Sequence, residues 1–336
     1  MSVATPQALV DDAAMDFLRA ILGREVTVTP VAGDASFRRY FRAESTGGKF
    51  IFMDAPPDKE DSRPFVDIAR FLHPHGVRVP QVVEAHVATG HILLEDFGDV
   101  TFLKALEAGI APETLYRPAV ETLLAMQATP RDGSCIAHDR PFDDAMLRRE
   151  LALFTDWYVE GILATPIPPE ERQAFDAAFD TLLDGILTQP WTFVHRDYHS
   201  RNLMWHDDRV GVLDFQDAVM GPVTYDLASL LRDCYVAWDA PFRAQVMDWW
   251  FADERIRRIY KVDRAQLQKD FDWMSIQRNL KAVGIFGRLS RRDGKHGYLN
   301  DIPRTMGYIR ENLIKYPELA RLERLIDRFA PAEGTT

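Results

Sequence analysis

The stretch that decides the fold is H-R-D-Y-H-S-R-N at residues 195–202, and an Asp-Phe pair follows at 214–215. Short apolar runs precede both segments, at 192–194 and 210–213, and each run is typical of a buried strand. If each residue type occurs at about one in twenty, the spaced His, Asp and Asn arise by chance in about 4% of chains this long. The Asp-Phe pair behind a second apolar run makes coincidence much rarer, so the two segments indicate one shared site.

Residue types at this spacing suit phosphoryl transfer. One carboxylate must accept a proton from the attacking hydroxyl, and a second carboxylate with an amide oxygen must hold Mg²⁺ against nucleotide phosphates. Asp197 is therefore predicted to be the catalytic base. Asn202 and Asp214 are predicted to be the metal ligands, with ATP and Mg²⁺ as cofactors.

The composition limits the classes of protein to which this chain can belong. The 336 residues are 46% hydrophobic, which is ample for a large core. A net charge of −11 argues against a general nucleic-acid or membrane binder, because such binding needs a cationic face. Cys135 and Cys234 have neither disulfide-framework nor zinc spacing. Acids near the first residue and the lack of a membrane-length apolar run predict a soluble, cytoplasmic protein.

Periodicity divides the chain into two parts. The first part has short β-type runs and two helices, predicted at 6–22, 26–31, 37–43, 50–54, 63–72, 81–87 and 91–95. Most later segments are helical, for example 143–160, 170–187, 224–236 and 264–289. This pattern predicts an α+β fold with a small mixed β/α lobe at 1–95 and a larger, mainly helical lobe at 96–336.

The motifs resemble those of the aminoglycoside phosphotransferase and choline kinase branch of the protein-kinase-like fold. Beside the two segments above, the Gly-Pro-x-x-Tyr-Asp-Leu-Ala run at 221–228 is similar. Longer stretches resemble the anomeric sugar kinases of cell-wall recycling, at 34–42, 53–57, 147–150, 212–218 and 291–295. The resemblance covers almost the whole chain. It implies a two-lobed kinase-like fold and ATP-dependent phosphorylation of N-acetylmuramate and N-acetylglucosamine at the C1 hydroxyl.

The resemblance implies that the first lobe binds the nucleotide. Small residues in the first hairpin would approach the phosphates, and a hinge at 95–98 would bind adenine through its main chain. The predicted nucleotide-binding residues are Gly33, Ser36, Phe37, Arg38, Arg39, Glu95 and Phe97.

The chain departs from the kinase pattern at one ion pair. Met53 stands where a strand Lys is expected, and Phe65 stands near the position of its partner Glu. Loss of both partners is physically reasonable, because loss of one would leave a buried charge unpaired. Arg38 or Arg39 is predicted to supply the missing cation.

The predicted sugar site lies in the larger lobe, which has a basic cluster between 278 and 295. A cation there would pair with the lactyl carboxylate of N-acetylmuramate. The predicted substrate residues are Arg149, Glu150, Asp217, Arg278 and Lys281.

Two alternatives stay open at this point. One is another small-molecule kinase of the same branch, although aminoglycosides and amino alcohols are cations and favour an acidic pocket. The other is a nucleotide-binding pseudokinase without turnover, which the missing Lys favours and the intact motif disfavours. The sequence leaves open the preferred sugar, the anomer and the oligomeric state.

Overall fold

The structure is a computed structural model that describes residues 10–31 and 37–332. The described residues of the first part form two α-helices and five strands, which are α1 (Asp12–Leu22), β1 (Thr27–Val31), β2 (Arg39–Ser45), β3 (Gly48–Asp54), α2 (Arg63–Leu72), β4 (Val82–His86) and β5 (His91–Glu95). The strands pair into one antiparallel sheet with the order β1-β2-β3-β5-β4.

Alternating side chains give this sheet two apolar faces. Phe52 and Leu93 pack with Leu18 of α1 on one face. Their neighbours along the strands, Met53 and Ile92, belong to the main core, which continues through α2 into the helical part. The sheet and the helical part therefore share one continuous core.

The second part of the chain is mainly helical, with two short β-ladders. Its elements are α3 (Phe102–Glu107), α4 (Pro112–Gln127), α5 (Asp144–Leu153), α6 (Pro169–Ile186), β6 (Trp191–Val194), β7 (Leu203–His206), β8 (Arg209–Val212), β9 (Val219–Pro222), α7 (Tyr225–Leu231), α8 (Ala240–Ala252), α9 (Glu254–Ile259), α10 (Arg264–Asp293), α11 (Ile302–Leu313) and α12 (Ala320–Phe329).

The two ladders position the motif. Strand β6 pairs with β9, and β7 pairs with β8. The loop at 195–202 connects β6 to β7, while Asp214 follows β8. Because Leu203 pairs with Val212, the end of the loop lies beside the start of the Asp-Phe segment, and Leu213 N donates to Asn202 O at 2.9 Å.

The predicted α+β layout is confirmed, and several element bounds differ. The helix predicted at 143–160 is α-helical only to Leu153 and continues as a π-helix, Phe154–Ile162. The helix predicted at 224–236 spans only Tyr225–Leu231, and the backbone leaves the helical conformation at Arg232, with φ −114° and ψ 40°. The first helix begins at Asp12, because the Asp11 side chain caps it by accepting from Ala14 N, so the prediction of helix at residues 10–11 is wrong. Residues 6–9 of that prediction lie outside the described range, and the division of the lobes at residue 95 stays a prediction. None of the described helices is both long and apolar enough to cross a membrane.

Helix α10 runs through the helical part over about 45 Å and packs closely against α5 and the π-helix. A Cβ added at Gly284 would lie 2.3 Å from the carbonyl carbon of Leu153, and one at Gly287 would lie 2.7 Å from Trp157 O. Glycine is therefore required at both positions for the close approach of the backbones.

We expect Gly284→Ala to lower the free energy of unfolding by about 1–3 kcal/mol, because the atoms it meets are backbone that cannot turn away. Gly307→Ala on α11 is the matched control, since an added Cβ there meets nothing within 4 Å. The free energy of unfolding of this variant should rise by about 0.5–1 kcal/mol. Chemical denaturation measures both variants. Unchanged stability of Gly284→Ala would contradict this packing of α10.

Candidate active site

A cavity of about 570 Å³ lies between the first sheet and α10. Ile51 and Leu94 of the sheet line it, together with residues of the 95–98 hinge. The loop at 195–202, the segment after β8 and one face of α10 contribute the rest of the wall. The cavity thus collects side chains that are far apart in the sequence.

Buried hydrogen bonds hold the 195–202 loop in place. The carboxylate of Asp226 accepts from the backbone N–H groups of His195, at 2.7 Å, and Arg196, at 3.0 Å. His195 Nε2 donates to Leu213 O at 2.8 Å, and its Nδ1 accepts from Asp197 N at 3.2 Å. Burial lowers the pKa of His195 to about 4, so its neutral ring can both donate and accept near pH 7. His195 is therefore a structural link between the two motif segments.

Two non-glycine residues of the site have left-handed backbone, Arg196 with φ 79° and Asp214 with φ 61°. Such conformations cost about 1–3 kcal/mol each and persist only where the surroundings fix them. Arg196 is held by its ion pair with Glu150 at 2.5 Å, and Asp214 Oδ1 accepts from Gln216 Nε2 at 2.7 Å. Asp214 lines the cavity, and Arg196 directly precedes Asp197, which also lines it, so both strained residues lie in the motif segments.

Asp197 lines the cavity beside a buried lysine from α10. Lys281 Nζ lies 3.4 Å from Asp197 Oδ1, 3.6 Å from Glu150 Oε1 and 3.2 Å from the hydroxyl of Tyr225. Burial on its own would raise the pKa of Asp197, but nearby positive charges, Lys281 first among them, hold that pKa below its ordinary value. Asp197 is therefore ionised and can accept a hydrogen bond from a bound hydroxyl.

Asn202 and Asp214 form the candidate metal site. Asn202 Nδ2 donates to Asp197 O at 3.0 Å and to Asp214 Oδ2 at 3.4 Å, so its amide oxygen is the atom left to face a cation. Enclosure in the cavity and the charge of Asp197 raise the pKa of Asp214. A divalent cation would relieve this repulsion, and carboxylate and amide oxygens are ligands that Mg²⁺ accepts.

The described residues contain no cluster of three or more His, Cys, Asp or Glu with metal-site geometry. Mg²⁺ in phosphoryl-transfer enzymes is commonly held by one or two carboxylates together with the phosphates of the nucleotide. The pair Asn202 and Asp214 fits that type of site.

Arg38 and Arg39, the two residues predicted to supply the missing cation, lie in different environments. Residues 38 and 40 share one side of β2, and both line the cavity. Arg38 is buried, pairs with Glu60 and lies close enough to Asp214 to lower its pKa. Arg39 points to the other side, is 54% exposed and pairs with Asp54 outside the cavity. Of the two, only Arg38 is placed to meet phosphates.

Apolar packing occupies the positions of the missing ion pair. Met53 is fully buried and Phe65 nearly so, and both belong to the main core. The ring of Phe65 also packs against Phe215 of the Asp-Phe pair, with centroids 4.7 Å apart. The helix α2 and the segment after β8 are therefore joined by apolar contact, without a Lys–Glu bridge.

We expect Arg38→Ala to raise the KM for ATP by about ten- to a hundredfold, because a charge-assisted hydrogen bond contributes about 1.5–3 kcal/mol. Arg39→Ala is the matched control and should leave this KM close to that of the wild type. Steady-state kinetics at saturating acceptor measures both. Equal effects in the two variants, or none in either, would remove Arg38 from the phosphate site.

The hinge is held by ion pairs on its outer side. The guanidinium of Arg42 binds Asp96 at 2.6 Å and Asp99 at 3.0 Å, which ties the hinge to β2. Glu95 and Phe97 both line the cavity, and the guanidinium of Arg78 lies 4.6 Å from the Phe97 ring centroid. The hinge backbone is thus fixed against the cavity, as adenine binding through the main chain requires.

The other predicted residues divide into four groups. Asp217, Arg278 and Lys281 line the cavity. Glu150 is buried beneath it, where it binds Arg196 and Lys281, so it supports the loop from outside the lining. Phe37 and Arg149 are exposed and do not line the cavity, while Gly33 and Ser36 lie outside the described residues.

Several lining residues were not among the predicted site residues, although Arg288 falls in the predicted basic cluster. They are Tyr40, His199, Arg201, Gln216, Tyr235, Phe286, Arg288 and Tyr298. Part of this set could have been found from helical spacing, because 278, 281, 282, 285 and 288 repeat at three- and four-residue intervals and share one face of α10. Tyr235, Phe286 and Tyr298 form an aromatic wall, in which Phe286 and Tyr298 stack with centroids 5.6 Å apart. Such a wall suits the apolar face of a sugar ring.

Known proteins that are similar to this chain are phosphotransferases. Residues 27–260 match the phosphotransferase enzyme family. An N-acetylmuramate/N-acetylglucosamine kinase of Pseudomonas aeruginosa is 41% identical over 298 residues, which cover 88% of this chain and 87% of that protein. A protein of the same name from Neisseria meningitidis serogroup B is 40% identical and covers 90% of each chain. The crystal structure of a spectinomycin phosphotransferase with ADP and spectinomycin superimposes with a TM-score of 0.63 at 13% identity, over 95% of this chain and 100% of that one.

The chain therefore belongs to the phosphotransferase enzyme family. Its fold is the protein-kinase-like fold of the aminoglycoside phosphotransferases, and the predicted family resemblance is confirmed. The similarity to the two amino-sugar kinases just described extends over 88% and 90% of this chain.

Proposed function

We propose that this protein is an ATP- and Mg²⁺-dependent kinase that phosphorylates the anomeric C1 hydroxyl of N-acetylmuramate and N-acetylglucosamine. The products would be sugar 1-phosphates for peptidoglycan recycling, formed in the cytoplasm where ATP is available. The observation that carries the proposal is that ionised Asp197, the Asn202–Asp214 pair and the aromatic wall all line one cavity. The named relatives, at about 40% identity, support the choice of sugars.

Each part of the cavity has a role in this reaction. The hinge at 95–98 would hold adenine, Arg38 would neutralise phosphate charge, and Asn202 with Asp214 would hold Mg²⁺. The metal and nucleotide supply the transferable phosphoryl group and the neutralisation of its charge. The protein's own contribution is to place the sugar hydroxyl and to exclude competing water.

Asp197 would orient the C1 hydroxyl and accept its proton. Because Lys281 helps to keep its pKa low, Asp197 is a weak base, and early proton abstraction is unfavourable. A late transfer, as the bond to phosphorus forms, needs less basicity. An anomeric hydroxyl is more acidic than an ordinary alcohol, so it suits a weak base of this kind.

The arginines beside the aromatic wall favour a neutral or anionic sugar over a cationic acceptor. Arg201, Arg278 and Arg288 line the cavity beside the aromatic wall. Aminoglycosides and choline carry positive charge and would be repelled there. The complete set of Asp197, Asn202 and Asp214 around one cavity argues for turnover and against a pseudokinase.

A coupled assay of ATP consumption tests the proposal, using a panel of N-acetylmuramate, N-acetylglucosamine, aminoglycosides and choline. We expect turnover with the two amino sugars and background rates with the cationic compounds. Turnover with an aminoglycoside or with choline alone would contradict the proposed substrate class. Nucleotide binding without consumption on any acceptor would support the pseudokinase alternative.

A further inference from the structure

We propose that Arg288 binds the carboxylate on the O3 substituent of N-acetylmuramate and so distinguishes this sugar from N-acetylglucosamine. The inference rests on the proposed function and assigns a residue to one part of the substrate. The ligand group is a carboxylate on a short ether arm, which N-acetylglucosamine lacks.

Arg288 lies in the cavity wall, and no ion pair within the described part of the chain balances its positive charge. It lines the cavity and is partly buried, and its Nε is buried with no hydrogen-bond partner. Among the described residues, no ion pair or ring contact involves its guanidinium. Burial and then the charge of Arg292 lower its pKa, so its environment is unfavourable for a cation until an anion binds. The nearby carboxylate of Asp293 is already bound by Arg292, at 2.7 and 2.9 Å.

The other cations of the described lining are already engaged. Arg278 donates to Arg232 O and Cys234 Sγ, both at 3.1 Å. Lys281 is held by Asp197, Glu150 and Tyr225, and Arg38 pairs with Glu60. Arg201 lies over the Tyr235 ring, 3.7 Å from its centroid. Arg288 is the cation of this set that has the most to gain from an anionic ligand.

The position of Arg288 fits a sugar whose C1 hydroxyl meets Asp197. Lys281 contacts Asp197, and Arg288 is seven residues farther along α10 on the same face. This spacing is two turns, or about 10.5 Å along the axis, which a pyranose ring with an acidic substituent can bridge. Ala282 and Ile285 line the cavity between them, where the ring would lie. A guanidinium can then bind the carboxylate with two parallel hydrogen bonds.

The test compares kcat/KM for the two sugars in the wild type, Arg288→Gln and Arg291→Gln at saturating Mg·ATP. We expect Arg288→Gln to lose about ten- to a hundredfold on N-acetylmuramate and to change little on N-acetylglucosamine. Arg291 is the matched control, because it lies on the same helix, is exposed, donates to Gly161 O at 2.9 Å and does not line the cavity. Its variant should keep the wild-type ratio of the two sugars.

Two further measurements separate the outcomes. Calorimetric titration with N-acetylmuramate should show weaker binding to Arg288→Gln, and thermal unfolding should show that the variant is folded. Equal losses on both sugars, or a selective loss in Arg201→Gln but not in Arg288→Gln, would overturn the assignment while leaving the proposed function in place. If the wild type phosphorylates neither sugar, the proposed function is wrong, and the role of Arg288 that rests on it is wrong as well.

Discussion

Asp197→Asn should lower kcat by about 10²–10⁴-fold on both amino sugars, with little change in the affinity for nucleotide. The substitution keeps the size of the side chain and its place beside Lys281, but an amide cannot accept the proton of the C1 hydroxyl. The nucleotide contacts proposed for the hinge and Arg38 do not involve this side chain. The measurements are steady-state kinetics and calorimetric titration with Mg·ATP.

The nucleotide titration is also the internal control for this variant. If nucleotide affinity is unchanged while turnover is greatly reduced, the variant is folded and the loss lies in the phosphoryl-transfer step. Near-normal turnover in Asp197→Asn would remove this residue from the role of base. A parallel loss of nucleotide affinity would mean that Asp197 acts mainly on the metal or the phosphates.

Asp214→Asn should lower kcat by about 10²–10⁴-fold and weaken the binding of Mg·ATP. A bound divalent cation contributes several kcal/mol of charge stabilisation in the transition state, and Asp214 is the proposed carboxylate ligand among few protein ligands. The side-chain oxygen of Asn can still accept the hydrogen bond from Gln216, so the local structure should be retained. Turnover and calorimetry over a range of Mg²⁺ concentrations measure the effect.

Asp208→Asn is the matched control for the metal site. Asp208 is exposed in the β7–β8 turn and, like Asp214, has positive φ, at 52°, a conformation that Asn tolerates well. This variant should keep wild-type kinetics and wild-type dependence on Mg²⁺. If Asp214→Asn behaves like Asp208→Asn, the metal assignment is wrong.

The sequence was most informative where chemistry requires fixed spacing. A base, a metal-binding amide and a metal-binding carboxylate need defined positions along two neighbouring loops, so residues 195–202 and 214 could be recognised without a structure. The α+β layout followed from the change from two-residue to helical periodicity after the first hundred residues.

Residues of the sugar end depend on long-range packing, and their positions were harder to predict. Arg149 and Glu150 are adjacent on α5, yet the first is exposed and the second is buried under the catalytic loop. Only the packing of α5 against α10 decides which of them faces inward. Arg288 lies in a run of basic residues that all look alike in sequence, and the structure distinguishes it by burial and by the pairing of its neighbours. The choice of Arg38 over Arg39 likewise depends on which side of β2 faces the cavity.

The position of phosphorylation tests the central claim most directly. After reaction with ATP and Mg²⁺, phosphorus and carbon NMR of the purified product would identify the oxygen that carries phosphate, for N-acetylmuramate and N-acetylglucosamine in turn. We expect a phosphorus resonance coupled to the anomeric proton and carbon, and a product that is no longer a reducing sugar. A phosphate on C6 or any other hydroxyl, with the anomeric centre free, would contradict the proposed orientation of the sugar against Asp197.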